Sequence, residues 1–334
     1  MFRNHLKITL RQLARNKVFS TINILGLSLG MAVVILIAAF VQNEFNYDNW
    51  MADSDRTYRV YRYWGPNSNT VWTPSLLANK LMSEYHETDV ATGLSFSGEQ
   101  LVEYAGNKMY VENTANVDST FFEVMSVPFK YGDPETALDE PNNMVISDEL
   151  AEKIFGDMNP IGEVIRYQAD EDFKIAGVLD LGDKNTHIHF DIFTRFTWYS
   201  SNWTGNNRAT YVKVKPNASV PNLGEKLTAD ITELMRNEFL SMNYTPTDED
   251  FADWKFQSLN DIHLDSDNFY WVGETGGSRT NVSIFMLIGF LVLSVAIINY
   301  VNLATARAGQ RAKEVGVKKV TGADRGQLTG QFIT

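Results

Sequence analysis

An α+β domain held between two transmembrane helices is the fold class this sequence predicts, and three observations predict it. Two runs carry no charged residue, 26 positions from Val18 to Asn43 and 27 from Thr280 to Ala306. About 20 mostly apolar residues suffice for a helix to cross the hydrocarbon core, so each run is long enough to span. The charge is divided to match: residues 1–17 carry +5, residues 304–334 carry +4, and the remainder carries −21 within a total of −12. Between the runs, alternating and helically spaced apolar residues succeed one another in an order that builds a sheet with helices packed on it.

At the N-terminus, Phe2, Leu6, Leu10 and Leu13 fall on one helical stripe and Arg3, Lys7, Arg11 and Arg15 on the adjoining one. Residues 1–18 therefore read as an amphipathic helix lying in the inner interface of a lipid bilayer. The first span covers residues 19–41. A cleaved signal peptide would also start basic and then turn apolar, but this core is too long for one and Ala38-Ala39-Phe40 is a poor cleavage site. Both basic flanks belong on the cytoplasmic side by the positive-inside rule, which puts residues 42–282 outside. A mean hydropathy of −0.22 excludes a bundle of many spans.

Inside the first span, Gly26-Leu27-Ser28-Leu29-Gly30 matches the G-x-S-x-G elbow of serine hydrolases. That elbow needs a strand before it and a helix after it, and an apolar helix offers neither. Gly26 and Gly30 also form G-x-x-x-G, which lets a second helix approach closely, and packing is the better account. In the second span, residues 283–304, Asn299 and Asn302 are costly in lipid unless paired, so they are expected to face another helix or a polar passage.

The intervening 240 or so residues can bury one or two cores. Strand-like runs are Thr57–Trp64, Ala91–Phe96, Thr210–Lys215 and Trp254–Leu259; helix-like runs are Pro74–His86 and Val220–Leu240. They read as strand-helix-strand, a long insertion, and strand-helix-strand again, two halves able to form one antiparallel sheet with helices on one face. The insertion, about residues 97–207, has short strands and a helix near Ser147–Phe155 started by Ser147 as N-cap, and reads as a second, mostly β subdomain.

Chemistry-bearing constellations are sparse. His187 and His189, in THIHFD, would share one side of a strand and could bind metal with Asp191, but with five histidines in the chain and no second ligand pair a structural role is the stronger reading. Asp170-Glu171-Asp172 and Asp248-Glu249-Asp250 look like solvated turn tips. No G-x-x-x-x-G-K-[ST] sequence occurs, so no ATP site is expected on this chain. No basic, aromatic-interleaved face argues for nucleic acid, and no catalytic, cofactor or metal residue is assigned. The lack of cysteine fits an outside domain that does not depend on disulfides.

The final segment carries the most specific pattern. INYVNLATARAGQRAKEVGVKKVTGAD, Ile298–Asp324, joins membrane Asn, a basic flank, Glu314-Val315-Gly316 and Gly322-Ala323. With Asn16–Ala32, Phe45–Val60, Phe121–Leu138 and Asn142–Ile165, it resembles the first half of a MacB/FtsX-type ABC-transporter permease. The resemblance implies a MacB-like periplasmic core at residues 42–282 in a bacterial inner-membrane protein, with a porter-like part at about 43–96 and 208–282 and a sabre-like insertion at about 97–207. It also implies a second permease copy, a separate cytoplasmic ABC ATPase, and ATP-driven movement transmitted to the outer domain. A periplasmic adaptor and an outer-membrane channel are further partners that it admits. Lys313, Glu314, Val315, Gly316, Lys318, Lys319, Gly322, Ala323 and Asp324, in the coupling region 305–334, would meet the ATPase. Asp324 can cap the following helix with Gln327 at its third position, making the turn rigid enough to carry force. The chain stops at Thr334, where a third span would be expected, and is read as an N-terminal fragment. A regulator of a cell-wall hydrolase and a two-span sensor are the alternatives; the sensor would need a signalling motif after Arg307 that the sequence lacks.

Overall fold

The computed structural model describes residues 17–66, 68–168, 171–269, 276–320 and 322. They form two bodies, a central one from Asn43 to Arg279 and a helical one made of the described residues before and after it.

Helix α1 (Lys17–Phe45) leads to strand β1 (Thr57–Tyr63), followed by β2 (Asn69–Thr70), β3 (Trp72–Pro74), helix α2 (Leu77–Glu84) and β4 (Thr88–Phe96). The helix expected from Pro74 starts three residues later. Thr73 and Pro74 pair with the strand opposite Arg208 and Asn206, and the Thr73 hydroxyl donates to the Arg208 carbonyl at 2.9 Å, so the ladder claims them first. The insertion contributes β5 (Gln100–Tyr104), β6 (Asn107–Val111), β7 (Thr114–Val117), α3 (Phe121–Met125), β8 (Phe129–Gly132), β9 (Asn143–Ile146), α4 (Asp148–Phe155), β10 (Val164–Tyr167), β11 (Glu171–Leu179) and β12 (Ile192–Arg195). The chain then returns through β13 (Asn206–Val214), α5 (Val220–Ser241) and β14 (Asp253–Ser258).

Strands β14, β1, β13 and β4 lie side by side, all antiparallel, in that order. Their alternation aims Val60, Ala91, Val212 and Trp254 at one face, where Leu77 and Leu81 of α2 and Leu223, Leu227 and Ile231 of α5 cover them. The last three are fully buried at four-residue spacing. Each such side chain contributes about 1.5–3 kcal/mol, which is what holds α5 in place. Gly224 lets α5 approach closely, because a Cβ there would lie 3.0 Å from the Trp254 carbonyl oxygen.

The insertion does not stand on a sheet of its own. From β4 the ladder passes to β7, with Leu94 opposite Val117, and on through β12, β9, β11, β10 and β5 to β6. Two pairs, β7–β12 and β9–β11, are parallel. Phe121, Phe122 and Phe193 form its aromatic centre with ring centroids 5.2–5.5 Å apart. The Ser147 cap of α4 is realised: its hydroxyl accepts from the Leu150 N–H at 3.1 Å and donates to Asp191 at 2.9 Å.

Helix α6 (Arg279–Val320) runs unbroken for 42 residues. At 1.5 Å per residue that is about 63 Å, roughly twice the thickness of a hydrocarbon core. Ile24–Phe45 of α1 and Arg279–Asn302 of α6 are long and apolar enough to cross a membrane.

Candidate functional site

Within the helical body, the two helices of spanning length pack along a seam of small residues. A Cβ placed on Gly26 would lie 3.7 Å from Asn299 Nδ2, and one on Gly30 would lie 3.3 Å from the Ala296 Cβ. Further along, Gly289 sits against Ile37, and Phe40 meets Phe285 edge-on at 5.0 Å. Two glycines four apart remove the side chains that would hold the helices away from each other, and the Asn299 amide lies in the groove they leave. Asn302 is exposed on this chain. Ser28 donates its hydroxyl to the Ile24 carbonyl of its own helix, which satisfies it as a helix residue and leaves no elbow.

The expected coupling residues Lys313, Glu314, Val315, Gly316, Lys318 and Lys319 all lie on α6, in the last turns of the same helix that crosses the apolar run. Gly316 is exposed, and Gly322 adopts a turn with φ of +96°, a conformation that glycine takes without strain. Ala323 and Asp324, with the proposed cap to Gln327, lie outside the described residues, as does the amphipathic stretch 1–16.

A joint that sequence reasoning missed closes around the residues following α1. Asp48 is fully buried with φ of +59°. Its carboxylate accepts from the Thr186 hydroxyl at 2.7 Å, from the His187 N–H at 3.2 Å, and lies 2.8 Å from His187 Nδ1. The other ring nitrogen of His187 is 3.1 Å from the Tyr211 hydroxyl of β13. The Asn185 carbonyl accepts from both the Asp48 N–H at 3.1 Å and Trp50 Nε1 at 2.8 Å, while the Asn185 amide donates to Asn43 Oδ1 at 2.7 Å. The loop at 184–188, deep in the insertion sequence, thus grips the chain as it leaves α1. Burial pushes the Asp48 carboxyl up, but the imidazole beside it and the hydrogen bonds from His187 and Thr186 outweigh that and hold it below the usual carboxylate range.

This corrects the reading of THIHFD. His187 and His189 precede β12 and are not on a strand; His187 is spent on Asp48 and Tyr211, and Asp191 accepts from Ser147. Among the described residues, no group of three His, Cys, Asp or Glu side chains could hold a metal ion. Asp248–Asp250 form a 3-10 turn closed by a capping box with Thr247, and Asp172 pairs with Arg166 at the exposed end of β10–β11, both as expected of turn tips.

A second polar cluster ties the insertion to the four-stranded sheet. Arg208, 1% exposed, donates to Asp118 at 2.9 Å and to the Trp198 carbonyl at 2.9 Å, with its guanidinium 3.4 Å from the Phe196 ring centroid and 4.3 Å from that of Tyr199. Asp118 also accepts from the Gly93 N–H at 2.7 Å and the Tyr199 hydroxyl at 2.7 Å. The ion pair with Asp118, the Trp198 carbonyl and the two stacked rings together offset much of the cost of burying this charge.

Comparison with known proteins matches residues 20–230 to the MacB-like periplasmic core domain. A macrolide export ATP-binding/permease protein MacB from Mannheimia succiniciproducens is 24% identical over 264 aligned positions, covering 77% of this chain and 37% of the relative. One of the same name from Neisseria meningitidis is 21% identical over 340 positions, covering 98% of this chain and 49% of the relative. The chain thus spans about half or less of the curated relatives it matches. A domain of a putative permease protein from Porphyromonas gingivalis superposes with a TM-score of 0.52 at 20% identity, over 62% of this chain and 91% of that one, and so shares its fold. With its α+β body between two helices of spanning length, and a match over well more than half of its sequence, this chain belongs to the MacB-like periplasmic core domain family.

Proposed function

We propose that this chain is the permease part of an ABC transporter of the MacB/FtsX type, a non-catalytic subunit that carries movement from a cytoplasmic ATPase to an extracytoplasmic domain. The observation that carries the reading is α6: one helix begins at Arg279 in the central body, continues through an apolar run, and ends in a basic segment at Val320. A single unbroken helix transmits displacement along its length, whereas a hinged one absorbs it. The relatives' shared name, with both ATP-binding and permease in it, supports an ATPase as the partner. Division of charge puts both basic flanks in the cytoplasm and residues 42–282 outside the inner membrane. Residues about 43–96 and 208–282 act as the porter-like part and about 97–207 as the sabre-like part. A second permease copy completes the unit, with an adaptor and an outer-membrane channel as further partners. The cargo class that suits an outer domain worked by mechanotransmission is an amphipathic or lipid-linked molecule, exported or extracted.

The test is to reconstitute the full-length permease with its ATPase and replace Glu314 and Gly316. Cargo-stimulated ATP turnover should be lost while membrane insertion stays normal. Unchanged coupled turnover would overturn the assignment of this segment.

A further inference from the structure

Both ends of the central body converge on one short turn. At the start, Glu44 reaches His263, with Oε2 3.1 Å from Nε2, and the Tyr47 ring stacks flat on the same imidazole at 3.4 Å. At the finish, Arg279 grips Asp265 through two nitrogens at 2.6 Å each and Asp261 at 2.9 Å, and its N–H donates to the Leu264 carbonyl at 3.1 Å. Residues 44 and 279 are 235 positions apart in sequence, yet their partners lie within five residues of each other, 261 to 265. Gly277 fits beneath Glu44, His263 and Leu264, where a Cβ would come within 2.5–3.0 Å of all three.

The turn is also fastened to the sheet. Gln257 of β14 donates to the Asp265 carbonyl at 3.2 Å, and the buried Arg59 of β1 donates to both Ser266 Oγ at 2.9 Å and Gln257 Oε1 at 2.8 Å. Ile262 and Leu264, 1% and 2% exposed, anchor it in the core. A segment with two anchors in the core, two on the β1–β14 edge and one on each flanking helix cannot shift at one contact without loading the others.

We propose that the turn Asp261–Ser266 is a yoke that binds the Glu44 end of α1 to the Arg279 end of α6 and delivers their joint displacement to the β1–β14 edge. Arg279, Glu44 and His263 are then positioning residues for the transmission of movement. The proposal rests on the permease reading. It adds that the two helices work as a pair from the outer side, and that α6 does not drive the domain alone.

These 334 residues hold no cysteine; in the full-length permease, with any cysteine elsewhere replaced, spin labels on cysteines introduced at Ser119 and Met242 report the geometry of the central body beside its ATPase in nanodiscs. In the wild type, ATP should shift the distance distribution between them. Arg279→Gln removes a partly exposed charge and should leave ATP turnover and thermal midpoint unchanged. The ATP-shifted population should fall at least about tenfold, since the charge-assisted contacts to Asp265 and Asp261 are lost together. The exchange Arg279→Asp with Asp265→Arg should restore it, and Asp265→Asn should behave as Arg279→Gln does. A full shift in Arg279→Gln, or no restoration by the exchange, overturns the yoke while leaving the permease reading standing. No shift in the wild type overturns both.

Discussion

Replacing Asp48 by alanine and by asparagine separates what this residue does by charge, by hydrogen bonding and by backbone shape. Alanine strands three donors, the Thr186 hydroxyl, the His187 N–H and the His187 ring. Each buried orphan costs about 1–3 kcal/mol before relaxation, and holding alanine at a φ of +59° adds about 1 kcal/mol. Allowing for partial rearrangement, Asp48→Ala should cost about 4 kcal/mol, within the range for breaking a buried ion pair. Asparagine keeps an acceptor for Thr186 and the N–H and tolerates the left-handed backbone, but loses the charge and turns the oxygen facing the His187 ring into a donor, so about 1–2 kcal/mol is expected. In urea, followed by tryptophan fluorescence, a slope of about 2–3 kcal/mol per molar puts the midpoint about 1.5 M lower for alanine and about 0.5 M lower for asparagine. Equal shifts for the two variants, or an alanine shift under about 0.3 M, would refute the reasoning. Because the folded carboxyl lies below its ordinary pKa, its contribution is full above about pH 4 and lost as pH falls through the folded value. Asp48→Asn should flatten that acid limb.

Gly30→Leu should force α1 and α6 apart, since even a Cβ there lies 3.3 Å from Ala296, and should abolish cross-linking between cysteines introduced at Ile37 and Gly289, which Gly30→Ala retains. Ser147→Ala removes both the α4 cap and the donor to Asp191, and should cost about 1–2 kcal/mol in urea unfolding. Single cysteines at Ser119 and Lys319 should label from the outside and the inside respectively in intact cells; the reverse pattern would refute the orientation.

Much of the four-stranded half was legible because its signals are local. β1, β13 and β14 are rich in β-branched and aromatic residues that partly alternate with polar ones, and α5 repeats leucine and isoleucine every four. The insertion was less so. β7, β9, β10 and β12 are four residues each, too short for a period to declare itself, and the parallel pairs β7–β12 and β9–β11 depend on partners tens of residues away. The joint and the turn at 261–266 were hidden for the same reason. Asp48 and His187 are 139 residues apart, Glu44 and His263 219. Only THIHFD drew notice, as a strand whose histidines read as structural rather than metal-binding, with nothing in the sequence naming Asp48 as their partner. Its neighbours gave one usable hint: Asn46-Tyr47-Asp48-Asn49 groups residues that tolerate a left-handed backbone just after a helix.

Hydrogen exchange of the reconstituted permease, with and without ATP and its ATPase, tests the transmission of movement most directly. Amides at 184–188 and 261–266 should change protection only when ATP and ATPase are both present, although neither segment lies near the basic end of α6 in sequence. Identical exchange at both segments under all conditions would contradict it.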